Sequence, residues 1–365
     1  MNLTASQVAP QMREDLRAAL PLPFEAPSAA ERWAALISTE ADREAFSTMC
    51  RALQKTYFGS LPARVATWLF YRLVYSHAGH YVEDSDYLAD ATGIMSRAQM
   101  ALMQRQYTWA HVAYNFVPGC TTTCIRTQAG WRMMRSLDWG NLPVMAPAVR
   151  AYDYIDSQQQ ITHTAAVQGM AGVLTFSRPG LCGAINFAPK QRCLTPARFR
   201  SDPLFVLRNL IEHTHINTLE AALEFIGKQR FSSPVFISLC SSNSDCAAVV
   251  EVAHDKRQNV RYAKDGLLVQ TNHFHQASPF AHENYPQLAT EPTAGWEHSD
   301  LLRNSQKRFD DLMAALSPLV DAPATQVESA CLERYSIAPV WNHETTYWTL
   351  ANPATGSLRL WQRQV

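Results

Sequence analysis

The sequence lacks any excess of charge. Lysine plus arginine and aspartate plus glutamate number 32 each, with no long run of like sign. That balance offers no electrostatic footprint for a phosphate backbone, so nucleic acid is not an expected partner. Long apolar runs are missing too. A spanning helix needs roughly 18 or more apolar residues, whereas the best run, VATWLFY at 65 to 71, stops at Arg72. No stable membrane insertion is expected. The opening MNLTASQVAPQMREDL has no basic region followed by an apolar one, so a secretory signal is not expected either. The eight cysteines, at 50, 120, 124, 182, 193, 240, 246 and 331, include no CxxC and no Cys/His pairing at zinc-finger spacing. They suit a reducing cytoplasm as buried small hydrophobes, and neither a metal nor a cofactor is expected. No internal repeat or low-complexity tract occurs; the Pro/Ala-rich stretches at 20 to 30 and 317 to 325 read as connectors.

What is present is a chain of 365 residues, 47% hydrophobic, long enough for one large core or two moderate ones. Residues 28 to 115 read as helical. Thr39, with Asp42 three residues on, makes a capping-box-like start. It places Phe46, Met49, Cys50, Leu53 and Tyr57 on one helix face. Pro62 fits a first helical turn leading into VATWLFYRLV, and Ser96 with Gln99 opens a further helix to about Tyr114. The aromatic-rich WLFYRLVY at 68 to 75 is most simply core, with an acyl-chain groove as the alternative. Pro118-Gly119 stops the helical half.

From Cys120 the period changes to that of strands. Thr/Ile-rich alternation at 120 to 127, a turn at Gly130 and the run WRMMRSLDW at 131 to 139 predict a hairpin. A second hairpin is predicted from GVLTF (172 to 176) and CGAINF (182 to 187), joined through Ser177-Arg178-Pro179-Gly180. Helices follow at 203 to 214 and 217 to 228, then strands at 234 to 240, 247 to 253 and 267 to 272. A helix at 299 to 317 and strands near 345 to 350 and 357 to 362 complete the pattern. This order argues for packed sheets covered by helices.

Cys120 stands at the start of a strand, after Pro-Gly, where a thiol can face a cleft. A nearby arginine can stabilise a thiolate, and an aspartate can orient an amine. Arg135 and Asp138 are three apart, however, and strict alternation turns them to opposite faces, so a turn or bulge is expected if both serve Cys120. Cys124, without a preceding glycine, reads as packing. Asn272 could simply close a turn. The pairs His273/His275 and His213/His215 lack further ligands and read as polar surface or core histidines.

Five stretches carry a family resemblance. Gly119-Cys120-Thr121-Thr122, with Gly130 and then Arg135-Ser136-Leu137-Asp138, is similar to the start of the mature chain in cysteine N-terminal nucleophile hydrolases. These include acid ceramidase, N-acylethanolamine acid amidase, isopenicillin N acyltransferase and the choloylglycine hydrolases. DATGI (90 to 94) with Tyr114, GMAGVLTFSRPGLCGAINF (169 to 187), QTNHF (270 to 274) and LLRNSQKRF (301 to 309) resemble later and earlier segments of the ceramidase group. The resemblance implies an α+β fold, a four-layer αββα sandwich, preceded by a helical N-terminal segment. It further implies self-cleavage between Gly119 and Cys120, dividing the chain into residues 1 to 119 and a catalytic part, 120 to 365.

In that scheme Cys120 is nucleophile and its freed α-amine is base and acid. Arg135 lowers the thiol pKa, Asp138 holds the amine, and Asn272 donates a side-chain NH to the oxyanion. The arginine of the later helix is Arg303 or Arg308, with Arg308 preferred. The implied substrate is a small linear N-acyl amide, hydrolysed through a Cys120 thioester. Transfer of the acyl group to an amine is the alternative, since the Gly-Cys-Thr-Thr junction resembles the acyltransferase. A non-catalytic binding protein is the other, with Ser136 and Ala188-Pro189 as departures from the family pattern. The amphipathic faces of the N-terminal segment need a partner, so the cleaved fragment is expected either to stay associated or to have first covered the site.

Overall fold

The computed structural model describes residues 12–73, 80–105, 119–139, 145–189, 201–254, 256–284, 298–342 and 344–364. Fourteen strands among them form two sheets. The six-stranded sheet runs in the order β1 (Met12–Glu14), β14 (Ser357–Arg363), β13 (Thr345–Asn352), β4 (Gly130–Asp138), β3 (Gly119–Thr127), β12 (Leu267–Gln270). The eight-stranded sheet runs β11 (Arg257–Tyr262), β10 (Cys246–His254), β9 (Val235–Ser241), β8 (Leu181–Phe187), β7 (Thr175–Arg178), β6 (Ile161–Val167), β5 (Val149–Ile155), β2 (Leu20–Pro23). Neighbouring strands are antiparallel except β2, which lies parallel to β5.

Alternation along the strands builds the layers. On one face of the first sheet, Ile125, Met134, Trp348 and Leu350 pack under Leu312 and Leu316 of α8 (His298–Leu316) and Val327 and Cys331 of α9 (Ala324–Tyr335). Its other face meets the second sheet, where Cys124 and Met133 pack on Cys182, Ala184, Phe236 and Cys240. The far face of the second sheet, with Phe176, Ile237 and Val250, lies under α6 (Pro203–Glu212) and α7 (Leu219–Gly227). The result is the expected αββα sandwich.

The helical segment ahead of the sheets comprises α1 (Ala29–Arg32), α2 (Glu40–Phe58), α3 (Leu61–Leu73), α4 (His80–Thr92) and α5 (Arg97–Gln104). Both caps read from the sequence form: the Thr39 hydroxyl accepts from the Asp42 amide at 3.1 Å, and Ser96 with Gln99 closes a full capping box. Phe46, Met49, Cys50 and Leu53 are buried, as their spacing requires; the side chain of Tyr57 lies outside the description. So do residues 106–118, over which the last helix was expected to continue to Tyr114.

Several expectations are corrected. The N-terminal segment is not wholly helical, because β1 and β2 leave it to complete the edges of both sheets. The stretch at 68 to 75 is only partly core where it is described: Tyr71 packs against the core, but Trp68 is 56% and Leu69 43% exposed, and Trp68 and Tyr71 line a groove of about 1000 Å³ between α2, α3 and α5. Ser177 and Arg178 belong to β7, and only Pro179-Gly180 turn. Strands β5, β6 and β11 and helix α9 were not anticipated. Among the described residues no helix is long and apolar enough to cross a membrane.

The segment before Cys120 is packed into the sandwich by more than its edge strands. Phe46 of α2 lies where a Cβ at Gly169 would be, only 2.1 Å from it, so glycine alone lets α2 seat there. Gln168 donates to Asp42 at 2.8 Å. Asp84, fully buried, bridges Arg32 Nε at 2.8 Å and Arg208 Nη1 at 2.6 Å, and Arg208 continues to Glu212 at 2.7 Å. Arg208 itself lies over the rings of Tyr81 and Tyr154.

Candidate active site

The hairpin β3–β4 sets the site. Nine residues of each strand pair in unbroken antiparallel register, with Gly119 opposite Asp138, Cys120 opposite Leu137 and Thr122 opposite Arg135. Alternation therefore turns the side chains of Cys120, Thr122 and Arg135 into the space between the sheets. It turns Thr121 and Asp138 toward the helical layer. Arg135 and Asp138 do lie on opposite faces, as the spacing demanded, and β4 pairs with β3 without a bulge. Arg135 approaches the thiol of Cys120 from the sheet interior, while Asp138 sits behind the backbone at Gly119.

Cys120 is fully buried. Arg135 Nη2 is 3.6 Å from its Sγ and also donates to the Ile185 carbonyl at 3.3 Å. Arg135 Nη1 donates to the Tyr347 hydroxyl, which in turn donates to the Ala165 carbonyl at 3.4 Å. Burial pushes the Tyr347 phenol upward, with the facing Arg135 charge acting against it. The phenol thus stays protonated.

The backbone of Cys120 is held from the helical side. Its N–H donates to Asn272 Oδ1 at 2.9 Å, and its carbonyl accepts from Arg308 Nη1 at 2.7 Å. Arg308 Nη1 also reaches Thr121 Oγ1 at 2.7 Å, Nη2 reaches Asn272 Oδ1 at 2.8 Å, and Nε is fixed by Asn304 at 2.8 Å. Of the two arginines of α8, Arg308 is buried against Cys120, whereas Arg303 is exposed.

Asn272 lies beside the backbone of Cys120. Its amide oxygen, not its NH₂, faces Cys120, because two donors, Cys120 N–H and Arg308, converge there; Nδ2 donates to the Phe187 carbonyl at 2.9 Å. The segment carrying Asn272 is braced in turn by Asn186. This side chain accepts from Thr122 Oγ1 at 2.6 Å and donates to the Gln270 carbonyl at 2.9 Å.

Asp138 accepts from Asn342 Nδ2 and from Thr345 Oγ1, both at 2.9 Å. Its carboxylate lies so close over Gly119 that a Cβ there would be 2.7 Å from Oδ2. The glycine is thus required by the carboxylate behind it, a reason separate from access to its own carbonyl.

Tyr347, Asn342, Thr345, Asn186 and Ser305 were missed in the sequence. Ser305 alone carried a signal: it lies three residues before Arg308, on the same helix face. Cys124 is packing, as expected, buried between the sheets with Cys182 and Cys240, whose thiols are pushed upward by burial. None of the seven described cysteines is in a disulfide. His213 Nδ1 lies 2.7 Å from the Asn209 carbonyl, and His273 is held by hydroxyls. Among the described residues no cluster of three or more His, Cys, Asp or Glu could hold a metal.

No protein-family model matches the chain, and no curated protein matches it in sequence. Its structure is similar to that of the N-acylethanolamine-hydrolyzing acid amidase (NAAA) ortholog of Caenorhabditis elegans, with a TM-score of 0.50 and 18% sequence identity. The match covers 64% of this chain and 93% of that one. The likeness is one of fold, two facing sheets between helical layers.

Proposed function

We propose that the protein is a self-processing cysteine amidase that hydrolyses a linear N-acyl amide. The observation that carries this reading is convergence on one residue. Arg135 addresses the thiol of Cys120, Asn272 its nitrogen and Arg308 its carbonyl, while Asp138 lies against the preceding glycine. A merely structural cysteine has no use for an arginine on its sulfur. The likeness to an N-acylethanolamine-hydrolyzing amidase supports the reaction class.

In processing, the Cys120 sulfur attacks the Gly119 carbonyl carbon, the Gly119–Cys120 C–N bond breaks, and the nitrogen takes a proton. Water then hydrolyses the Gly119 thioester, leaving a carboxylate on Gly119 and a free thiol and α-amine on Cys120. Asn272 Oδ1, which already accepts from this nitrogen, would hold the new amine, with Asp138 as the carboxylate behind Gly119. In turnover the amine accepts the thiol proton, the thiolate attacks the substrate carbonyl, and the amine returns a proton to the departing nitrogen. Water releases the acyl group from sulfur. Arg135 faces the sulfur in both stages. The fragment ending at Gly119 stays bound, since it supplies two edge strands and the Arg32–Asp84–Arg208 link.

The test is turnover with a panel of N-acyl amides of graded chain length, following free acid, with mass analysis of the quenched protein. The reading expects free acid and an acyl adduct on the peptide beginning at Cys120. Acid release by Cys120→Ala at the native rate would refute it. Transfer of the acyl group to an added amine in place of acid would establish an acyltransferase instead.

A further inference from the structure

Behind Asn272 lies a second cluster that the mechanism above does not use. Ser305 of α8 accepts the backbone N–H of Asn272 at 2.8 Å. The Ser305 hydroxyl is 2.8 Å from His273 Nδ1 and 2.9 Å from Thr271 Oγ1. Thr271 Oγ1 donates to the Ser305 carbonyl at 3.0 Å and lies 3.1 Å from His273 Nδ1. All three side chains are buried. The Thr271 proton goes to the Ser305 carbonyl, and the Ser305 oxygen accepts from Asn272. The Ser305 proton has two acceptors in reach, Thr271 Oγ1 and an unprotonated His273 Nδ1.

We propose that Ser305 and His273 are positioning residues. Their hydrogen bonds hold the Asn272 backbone, and through its side chain the nitrogen of Cys120, while the imidazole is neutral. The proposal rests on the amidase reading for its consequence in catalysis, not for its geometry. Ser305 and Arg308 lie three apart on α8, so the helix that latches onto 271 to 273 through one delivers the other to Cys120 and Asn272. A proton on His273 would turn Nδ1 from acceptor to donor against Ser305. It would also add a charge facing Arg308 of α8, His275 of the same segment and Arg261 of β11. Of these, Arg261 is paired with Glu251 of β10 at 3.3 Å. The ring of Phe309 covers the edge of His273, with centroids 5.8 Å apart. Burial, with Arg308 adding to it, lowers the imidazole to about 4.

The test compares self-cleavage rates from pH 3 to 7 for the native chain, His273→Asn, His273→Leu and Ser305→Ala. Asparagine can accept at the Nδ1 position but does not titrate. The native rate is expected to fall about tenfold per unit below pH 4. His273→Asn should keep the native rate at pH 6 and lose that acid limb, while His273→Leu and Ser305→Ala slow at every pH by about tenfold or more. An unchanged acid limb in His273→Asn, or a native rate in Ser305→Ala, would overturn the proposal. A second readout needs no chemistry: in the Cys120→Ala chain, hydrogen exchange of the Asn272 amide, read by NMR, should quicken about tenfold or more when Ser305 is alanine. Equal exchange overturns the positioning role. A native chain that never cleaves, with quickened exchange, would sink the amidase reading and leave the latch standing.

Discussion

Replacing Gly119 with alanine should cost both stability and processing, through a carboxylate one strand away. An alanine Cβ would sit 2.7 Å from Asp138 Oδ2 and 2.9 Å from Asp138 Cβ, where carbon contacts ordinarily settle near 3.5 to 4.0 Å. Asp138 cannot rotate clear without giving up its bonds from Asn342 and Thr345. Two hydrogen bonds to a buried carboxylate contribute about 1.5 to 3 kcal/mol each, so a loss of roughly 3 to 6 kcal/mol is expected. Denaturant unfolding in a Cys120→Ala background reads it without interference from cleavage. A double-mutant cycle with Asp138→Gly, which removes both clashing atoms, should return a coupling of about 2 kcal/mol or more. In the chain with its cysteine, Gly119→Ala should slow cleavage by about a hundredfold or more, because the carboxylate no longer stands beside the nascent amine. Native stability, or a coupling near zero, would refute this steric reasoning.

Other perturbations separate the parts of the site. Arg135→Met removes the cation 3.6 Å from the Cys120 sulfur, so alkylation by iodoacetamide and self-cleavage should both fall, the latter by about a hundredfold; an unchanged alkylation rate would deny Arg135 its role. His273 has a folded pKa of about 4 against an ordinary 6.5, so the unfolded chain binds the extra proton between these values. Stability should therefore fall as pH drops from 6.5 to 4, by on the order of 3 kcal/mol, and His273→Asn should flatten that limb in a pH series of unfolding curves. Arg208→Met strips Asp84 of one of its two buried cations and should cost roughly 3 to 5 kcal/mol. After cleavage this variant should release the N-terminal fragment on size exclusion, whereas the native complex co-elutes.

The parts legible in the sequence were those written in local periodicity. The Thr-rich alternation after Gly119 located β3 and β4 nearly to the residue, and the caps at Thr39 and Ser96 set their helices. VRAYDYI and ITHTAAV alternate well enough to have been read as β5 and β6, but no glycine or proline turn marks them off as clearly as Gly130 marks the first hairpin. The edge strands β1 and β2 are three and four residues long, and their partners lie over a hundred residues away, so pairing alone makes them strands. The same holds for the residues that aim the site. Asn342 and Thr345 are more than 200 residues from Asp138, and Tyr347 is 212 from Arg135; nothing in their own neighbourhoods announces the contact. The orientation of Asn272 was equally hidden, since it follows from the convergence of Arg308 and a backbone N–H on one oxygen.

Intact mass with N-terminal sequencing of the purified protein, native and Cys120→Ala, after incubation between pH 4.5 and 8, goes to the heart of the mechanism. Two fragments in the native sample, one beginning Cys-Thr-Thr-Thr-Cys, and a single chain in the mutant are expected. A native chain that stays whole at every pH would contradict the claim that Cys120 acquires its own amine as catalytic base.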